Sequence, residues 1–273
     1  MKNTIGIIGF GNMGSAIGEQ LKSKYRIWVF DLDKEKTKGL TEINVADDIA
    51  ELVNKVDIVV LAVKPQDFDI VLNEVKDYAR RKLVISIAAG ITTEYIEKHL
   101  GQVRVVRVMP NLPARIGKGM ICLCKGKLVD KEDLNLTEKI FSNLGRILIL
   151  NENMMDAATA ISGCGPGYFY DLIRNKKQDE WEDFARNTFI TALSAAAQQI
   201  GFTPEQAGEL AVVTAEGSIG LLKKTGLSPD ALCMQVASKG GTTAAGLEEL
   251  HKTNSLYAAV KAAKKRAEEL CRR

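Results

Sequence analysis

The feature that most constrains this chain is a glycine-spaced turn placed directly after an apolar run. Ile5-Gly6-Ile7-Ile8 reads as a short buried strand, and Gly9, Gly11 and Gly14 follow in the spacing G-x-G-x-x-G. Each glycine has a physical task. Gly9 permits the tight turn out of the strand. Gly11, without a Cβ, lets a pyrophosphate approach the backbone, and Gly14 lets the next helix pack close to the strand. That helix is expected over residues 13–22, with its N-terminal N–H groups and positive dipole end turned to the phosphates. The candidate dinucleotide contacts here are Gly9, Phe10, Gly11, Asn12, Met13 and Gly14. A plain structural turn is the competing reading.

Context strengthens the nucleotide reading. A second apolar strand, Arg26 to Phe30, ends in Asp31, about 20 residues beyond the first glycine, where the acid that binds the adenosine ribose is expected. A carboxylate accepts hydrogen bonds from a ribose 2′-OH and repels a 2′-phosphate, so NAD(H) is favoured and NADP(H) remains possible. Lys34, Lys36 and Lys38 follow closely and would soften that preference, although a solvated helix over residues 34–40 accounts for them as well.

Strand and helix patterns then alternate. Val56 to Val63 is almost continuously apolar and suits a parallel strand buried on both faces. Further strands are expected at 83–88, 103–108, 119–124 and 146–150, with helices at 47–54, 67–78, 93–99 and 131–144. Thr92 is a candidate N-cap. The pattern implies an α/β fold with a doubly wound, Rossmann-type parallel sheet over residues 1–152. Ligands of such sheets lie beyond the carboxyl ends of the strands. Ala62-Val63-Lys64-Pro65, Ala88-Ala89-Gly90 and Met109-Pro110-Asn111 therefore become candidate cofactor contacts, with Asn111 suited to orient a carboxamide or substrate. Ordinary strand-to-loop turns are the alternative.

From about Asn153 the character changes to alanine-rich helical stretches, expected at 154–162, 168–174, 181–200, 204–223, 229–237 and 243–272. Gly201-Phe202-Thr203-Pro204 and Gly226-Leu227-Ser228-Pro229 repeat one punctuation: a C′ glycine, an N-cap hydroxyl and a proline at N1. Residues 153–273 thus form an all-α domain. Arg174 to Arg186 is the most charged stretch and reads as a solvated connection. Two glycine-bearing stretches interrupt the helices, Ser162 to Tyr168 and Ala237 to Thr243. The second offers backbone N–H groups and hydroxyls at a helix start, which suits a carboxylate. A capped loop explains it equally well.

Composition excludes several classes. Lys and Arg number 37 against 34 Asp and Glu, for a net charge of +3, with no basic stripe interleaved with aromatics to suggest nucleic acid. Five cysteines and two histidines form no C-x-x-C pair and no metal-ligand cluster. Reduced thiols in a cytoplasm are expected, as is the absence of a signal peptide, because the nucleotide strand begins almost at once. No apolar run approaches the roughly 18 residues of a membrane span.

Taken in order, several motifs resemble pyrroline-5-carboxylate reductases along nearly the whole chain. They are Ile7 to Gly14, Ala62 to Gln66, Ser86 to Gly90, Val108 to Asn111, Ser162-Gly163 with Gly165-Pro166 and Tyr168, and Ser238 with Gly240-Gly241-Thr242-Thr243. The resemblance implies NAD(P)H-dependent reduction of 1-pyrroline-5-carboxylate to L-proline by hydride transfer to a cyclic imine. It also implies a C-terminal helical domain that pairs with a second subunit, giving a homodimer or larger. Ser238, Lys239, Gly240, Gly241 and Thr242 would bind substrate, with Gly241, Thr242 and Thr243 holding its carboxylate. The Thr243 hydroxyl would lie near the ring nitrogen as the catalytic contact. The chain departs from the family in places. Lys239 replaces the proline of a Ser-Pro-Gly-Gly loop, Leu227, Ser228 and Met234 stand where acids are common, and the segment around 168–198 is longer. A reductase of another cyclic imine or small acid, or an inactive nucleotide-binding paralogue, are the alternatives these departures keep open.

Overall fold

The computed structural model describes residues 3–270. The fully apolar runs become strands because their side chains are buried on both faces. β1 (Thr4–Ile8), β2 (Arg26–Phe30), β3 (Asn44–Val45), β4 (Ile58–Leu61), β5 (Leu83–Ser86), β6 (Arg104–Met109), β7 (Gly119–Lys125) and β8 (Gly145–Ile149) form one eight-stranded sheet. Its order is β3-β2-β1-β4-β5-β6-β7-β8. The pairs β1–β2, β1–β4, β2–β3, β4–β5 and β5–β6 are parallel, with Ile8 opposite both Phe30 and Leu61. The order reverses at β1, so the carboxyl ends of β1 and β4 diverge into a crevice, the ligand position of doubly wound sheets.

The chain divides into two compact units. One comprises the chain up to Val108 with Leu123–Asn143 and Ile149–Glu152. The other comprises Met109–Cys122, Leu144–Leu148 and the chain from Asn153 onward. The second unit thus takes in parts of the three last strands besides the helices.

In the first unit α1 (Asn12–Leu21), α2 (Ile49–Lys55), α3 (Phe68–Val75), α4 (Thr93–Leu100) and α5 (Lys131–Phe141) accompany the strands. Asp48, Thr92 and Asp130 cap α2, α4 and α5 by accepting from the N–H of Glu51, Tyr95 and Asp133. The apolar faces of α2 and α3, with Leu52, Val53, Phe68 and Leu72, close over Val59, Leu61 and Val84 of the sheet. The helix expected over 34–40 is only a 3-10 turn, Lys34–Thr37. Three of its side chains are lysine or glutamate, so it has little apolar face to bury.

The second unit holds α6 (Met155–Ala158), α7 (Gly165–Ile173), α8 (Trp181–Phe184), α9 (Ile190–Gln199), α10 (Pro204–Thr225), α11 (Pro229–Val236), α12 (Thr242–Thr253) and α13 (Leu256–Leu270). Thr203 and Ser228 cap α10 and α11, and Gly226 ends α10 in the left-handed region at φ 66°. Three expectations change. The stretch Ser162 to Tyr168 does not interrupt the helices. A π turn at Thr159–Gly163 runs directly into α7, which opens on Gly165 and Pro166. The helix expected over 243–272 is two helices, because Asn254 adopts φ 51° and closes α12, a conformation that Asn tolerates. The charged connection is partly helical, with α8 inside it. The last residues of the helix expected over 243–272, Cys271 and Arg272, lie outside the described residues.

A buried ion pair braces the first unit. The Arg107 guanidinium on β6, 1% exposed, donates to Glu152 Oε1 at 2.7 Å. Glu152 Oε2 accepts from Thr93 N at 3.1 Å and Thr93 Oγ1 at 2.7 Å, at the start of α4. Burial pushes the Glu152 carboxyl up, but Arg107 and Thr93 outweigh it and hold it below the ordinary glutamate range. Arg107→Met should cost about 2–3 kcal/mol in urea unfolding, less than for a fully buried pair, because Glu152 keeps 31% exposure. A carboxyl lowered by folding stabilises above its ordinary value near 4.5, and the effect fades as pH falls through its folded value. Glu152→Gln should therefore flatten the acid limb of the stability curve relative to wild type.

Candidate functional sites

The first candidate site lies at the crevice in the first unit. Gly9 leaves β1 at φ 94°, in the region that favours glycine, and a Cβ there would stand 2.7 Å from the Ala62 carbonyl oxygen. A Cβ on Gly14 would stand 2.0 Å from the Gly9 carbonyl oxygen, so only glycine lets α1 approach the turn. Gly11 faces open space and precedes α1 as an N-cap with no side-chain capping bond. The first N–H groups of α1 are thus left without an intrahelical partner, as phosphate binding requires. Gly9, Gly11, Asp31, Ala62, Val63 and Lys64 line a cavity of about 330 Å³.

Asp31 is the strut of this site. Its Oδ2 accepts the Phe10 N–H at 2.7 Å, while Oδ1 accepts from Asp33 N at 2.9 Å and Lys36 Nζ at 3.2 Å. Burial pushes the carboxyl up. The Phe10 and Asp33 amides and the Lys36 ammonium outweigh that and hold it below the usual carboxylate range. Lys36 is therefore an ion-pair partner of Asp31 rather than a merely solvated charge. Leu32, Asp33, Asp67, Ile70 and Glu74 complete the rim, with Leu32 86% and Ile70 62% exposed.

Not every expected contact gathers here. Phe10 offers its N–H to Asp31 while its ring is buried against α1 near Gly18. Asn12 and Met13 begin α1. Pro65 starts a 3-10 turn. Ala88, Ala89 and Gly90 follow β5 outside the lining of this cavity. Asn111 belongs to the second unit, and both ends of its amide are engaged there. Nδ2 donates to Ser162 O at 3.0 Å and Oδ1 accepts from Met120 N at 2.9 Å. Its amide locks β7 to the π turn.

The second candidate site is the loop Ser238 to Thr243 of the second unit. Gly241 N donates to Ser238 O at 3.0 Å, closing a tight turn through Gly240 at φ 70°. Gly241 is the N-cap of α12 and carries no side-chain cap. The N–H groups of Thr242, Thr243 and Ala244 are thus the open donors of the first turn. The N–H of Gly241 itself is used within the turn. Ser238 and Lys239 are exposed, whereas Thr243 is buried to 5% exposure. The Thr243 methyl fills the space that Gly167 leaves, since a Cβ on Gly167 would stand 2.6 Å from it. Cys164 Sγ donates to Thr242 Oγ1 at 3.3 Å.

One contact escaped sequence reasoning. Arg266 Nε on α13 donates to the Gly240 carbonyl at 2.9 Å and holds that peptide in place. No local pattern marks an arginine so far along the chain. Among the described residues no group of three or more His, Cys, Asp or Glu side chains is gathered for a metal, and no helix is long and apolar enough to cross a membrane. Cys122, Cys124, Cys164 and Cys233 are free thiols.

A family model described as NADP oxidoreductase coenzyme F420-dependent matches residues 4–90, and one described as pyrroline-5-carboxylate reductase dimerisation matches residues 187–270. A pyrroline-5-carboxylate reductase of Aquifex aeolicus is 34% identical over 252 residues, covering 90% of this chain and 88% of its own. The structure of a pyrroline-5-carboxylate reductase from Coxiella burnetii matches with TM-score 0.66 and 33% identity over 100% of both chains. That of Plasmodium falciparum pyrroline carboxylate reductase with NADP bound matches with TM-score 0.65 and 31% identity over 98% of both chains. With the glycine turn, the acid-braced crevice and the glycine–threonine loop in one chain, this protein belongs to the pyrroline-5-carboxylate reductase family.

Proposed function

We infer that this chain reduces 1-pyrroline-5-carboxylate to L-proline with a reduced nicotinamide dinucleotide, as an oxidoreductase acting on a CH–NH bond. The observation that carries the reading is the α12 N-terminus, where three backbone donors and two threonine hydroxyls stand together in a chain of this family. The unit built mainly from residues 1–152 serves for dinucleotide binding, and the unit built mainly from 153–273, with parts of the last three strands, for substrate binding and dimerisation. The match of residues 187–270 to the dimerisation model supports self-association as a homodimer or larger. A cytoplasmic setting accords with the free thiols.

The chemistry asks little of the protein. A protonated cyclic imine is already electrophilic at carbon, so no strong base is needed, and catalysis is mostly positioning. The nicotinamide, when bound, supplies the hydride. The N–H groups of Thr242, Thr243 and Ala244 hold the substrate carboxylate at the positive end of α12. The Thr243 hydroxyl bonds the ring nitrogen. Gly11 and the first N–H groups of α1 receive the pyrophosphate, with Gly9 and Gly14 shaping the turn that presents them.

The crevice favours NADH over NADPH. Asp31, Asp33, Asp67 and Glu74 on its rim outnumber Lys36 and Lys64, so a 2′-phosphate meets more negative than positive charge. The test of function is cofactor oxidation with pyrroline-5-carboxylate, run with NADH and NADPH, and proline formation scored by chromatography. Absence of turnover with both cofactors would overturn the reading and shift weight to another cyclic imine.

Two variants follow. Thr243→Ala should lower kcat/KM for the imine about 10- to 100-fold, the worth of a hydrogen bond to a charged group, while the Kd for NADH stays within about twofold. Wild-type kinetics in that variant would remove Thr243 from its role. Asp31→Ser should raise the ratio of NADPH to NADH efficiency. It should also raise KM for both cofactors, because Phe10 N–H loses its acceptor. A wild-type enzyme that already prefers NADPH more than about tenfold would overturn this account of Asp31.

A further inference from the structure

The π turn delivers a thiol to the start of α12. Its extra residue per turn is visible in Cys164 N, which donates to Thr159 O at 2.8 Å, and such turns recur at functional sites. Cys164 is 1% exposed and its Sγ meets Thr242 Oγ1 at 3.3 Å. A second buried group stands beside it. Tyr168 is fully buried, and its hydroxyl makes no hydrogen bond of ordinary geometry. That hydroxyl occupies the notch left by Gly246, where a Cβ would stand 2.4 Å from it. A buried hydroxyl left in this state is costly, and such groups are rare in native structures.

We propose that Cys164 is a positioning residue for substrate binding: by donating its S–H to Thr242 Oγ1, it turns the Thr242 hydroxyl proton toward the carboxylate held at the α12 N-terminus. The inference rests on the substrate reading given above. A threonine hydroxyl has one proton and two acceptor sites. Once Oγ1 accepts from the thiol, its own proton no longer points at the sulfur and is available to an anion. The thiol must be neutral for this. Burial pushes it up, only partly offset by Thr242, Thr243 and Tyr168, so it stays protonated at neutral pH. Tyr168 closes the sulfur off from water, and the buried cluster holds the thiol in one orientation. Thr242 thereby becomes a third kind of contact at this helix end, a directed hydroxyl beside backbone amides.

The test uses the intact protein and four measurements per variant: kcat, KM for pyrroline-5-carboxylate, KM for NADH, and calorimetric affinity for L-proline. Cys164→Ala should raise the imine KM and weaken L-proline binding by the same factor, about threefold to tenfold. Its kcat and its KM for NADH should stay within about twofold. Cys164→Ser restores a donor and should return the imine KM to within about twofold of wild type. Thr242→Val should reproduce the Cys164→Ala shift, and the double variant should be no worse than Thr242→Val alone, because the thiol acts through that hydroxyl. Additive single effects, or a wild-type KM in Thr242→Val, overturn the proposal even where Cys164→Ala fails to fold. A wild-type enzyme that neither turns over the imine nor binds L-proline overturns the substrate reading, and this proposal with it. An active wild type with unaltered variants overturns this proposal alone.

Discussion

The hydrogen bond from Phe10 N–H to Asp31 Oδ2, at 2.7 Å, is the fastening on which the nucleotide crevice depends. It ties the end of β2 to the turn that leaves β1, and it is made between buried groups, where an unmet partner is expensive. With Phe10 N–H spent inward and Gly9 bent to φ 94°, the chain enters α1 with its first amides uncovered. The same carboxylate draws in Lys36 and the Asp33 amide. Asp31 is thus first of all a structural acceptor, held by three donors.

Both candidate sites use one physical device, the removal of a Cβ where two backbones or a backbone and a methyl must meet. Gly14 lets α1 pass within reach of the Gly9 carbonyl, and Gly167 makes room for the Thr243 methyl. In each place the neighbouring helix keeps a full first turn of unpaired amides. Arg266 serves the second site as Asp31 serves the first, by holding one peptide plane just before the open donors.

How legible this was in the sequence follows from the range of the interactions. The strands were readable because β4 and β5 are buried at every position and a parallel strand covered on both faces is apolar throughout. The caps at Thr92, Thr203 and Ser228 were readable because they are contacts within three residues. Lys34 to Leu40 reads as helix because its three lysines and Glu35 are good helix formers, but it has no apolar stripe to anchor it. The π turn at 159–163 was not readable, because no local pattern marks an extra residue in a helical turn. The break at Asn254 had a local sign, an asparagine that accepts the left-handed region, which the helical pattern around it covered.

By itself the sequence determined the order of elements, the doubly wound class, the glycine turn with its acid, and the glycine–threonine loop, all set by residue type and short spacing. Only the tertiary structure decided which of those groups are free to act. It spent Gly241 N–H on Ser238, engaged both ends of the Asn111 amide, paired Lys36 with Asp31 and brought Cys164 to Thr242. The reason is that a donor or acceptor has few partners to give. Whether they go to the fold or to a ligand depends on atoms that are distant in the chain and adjacent only after folding.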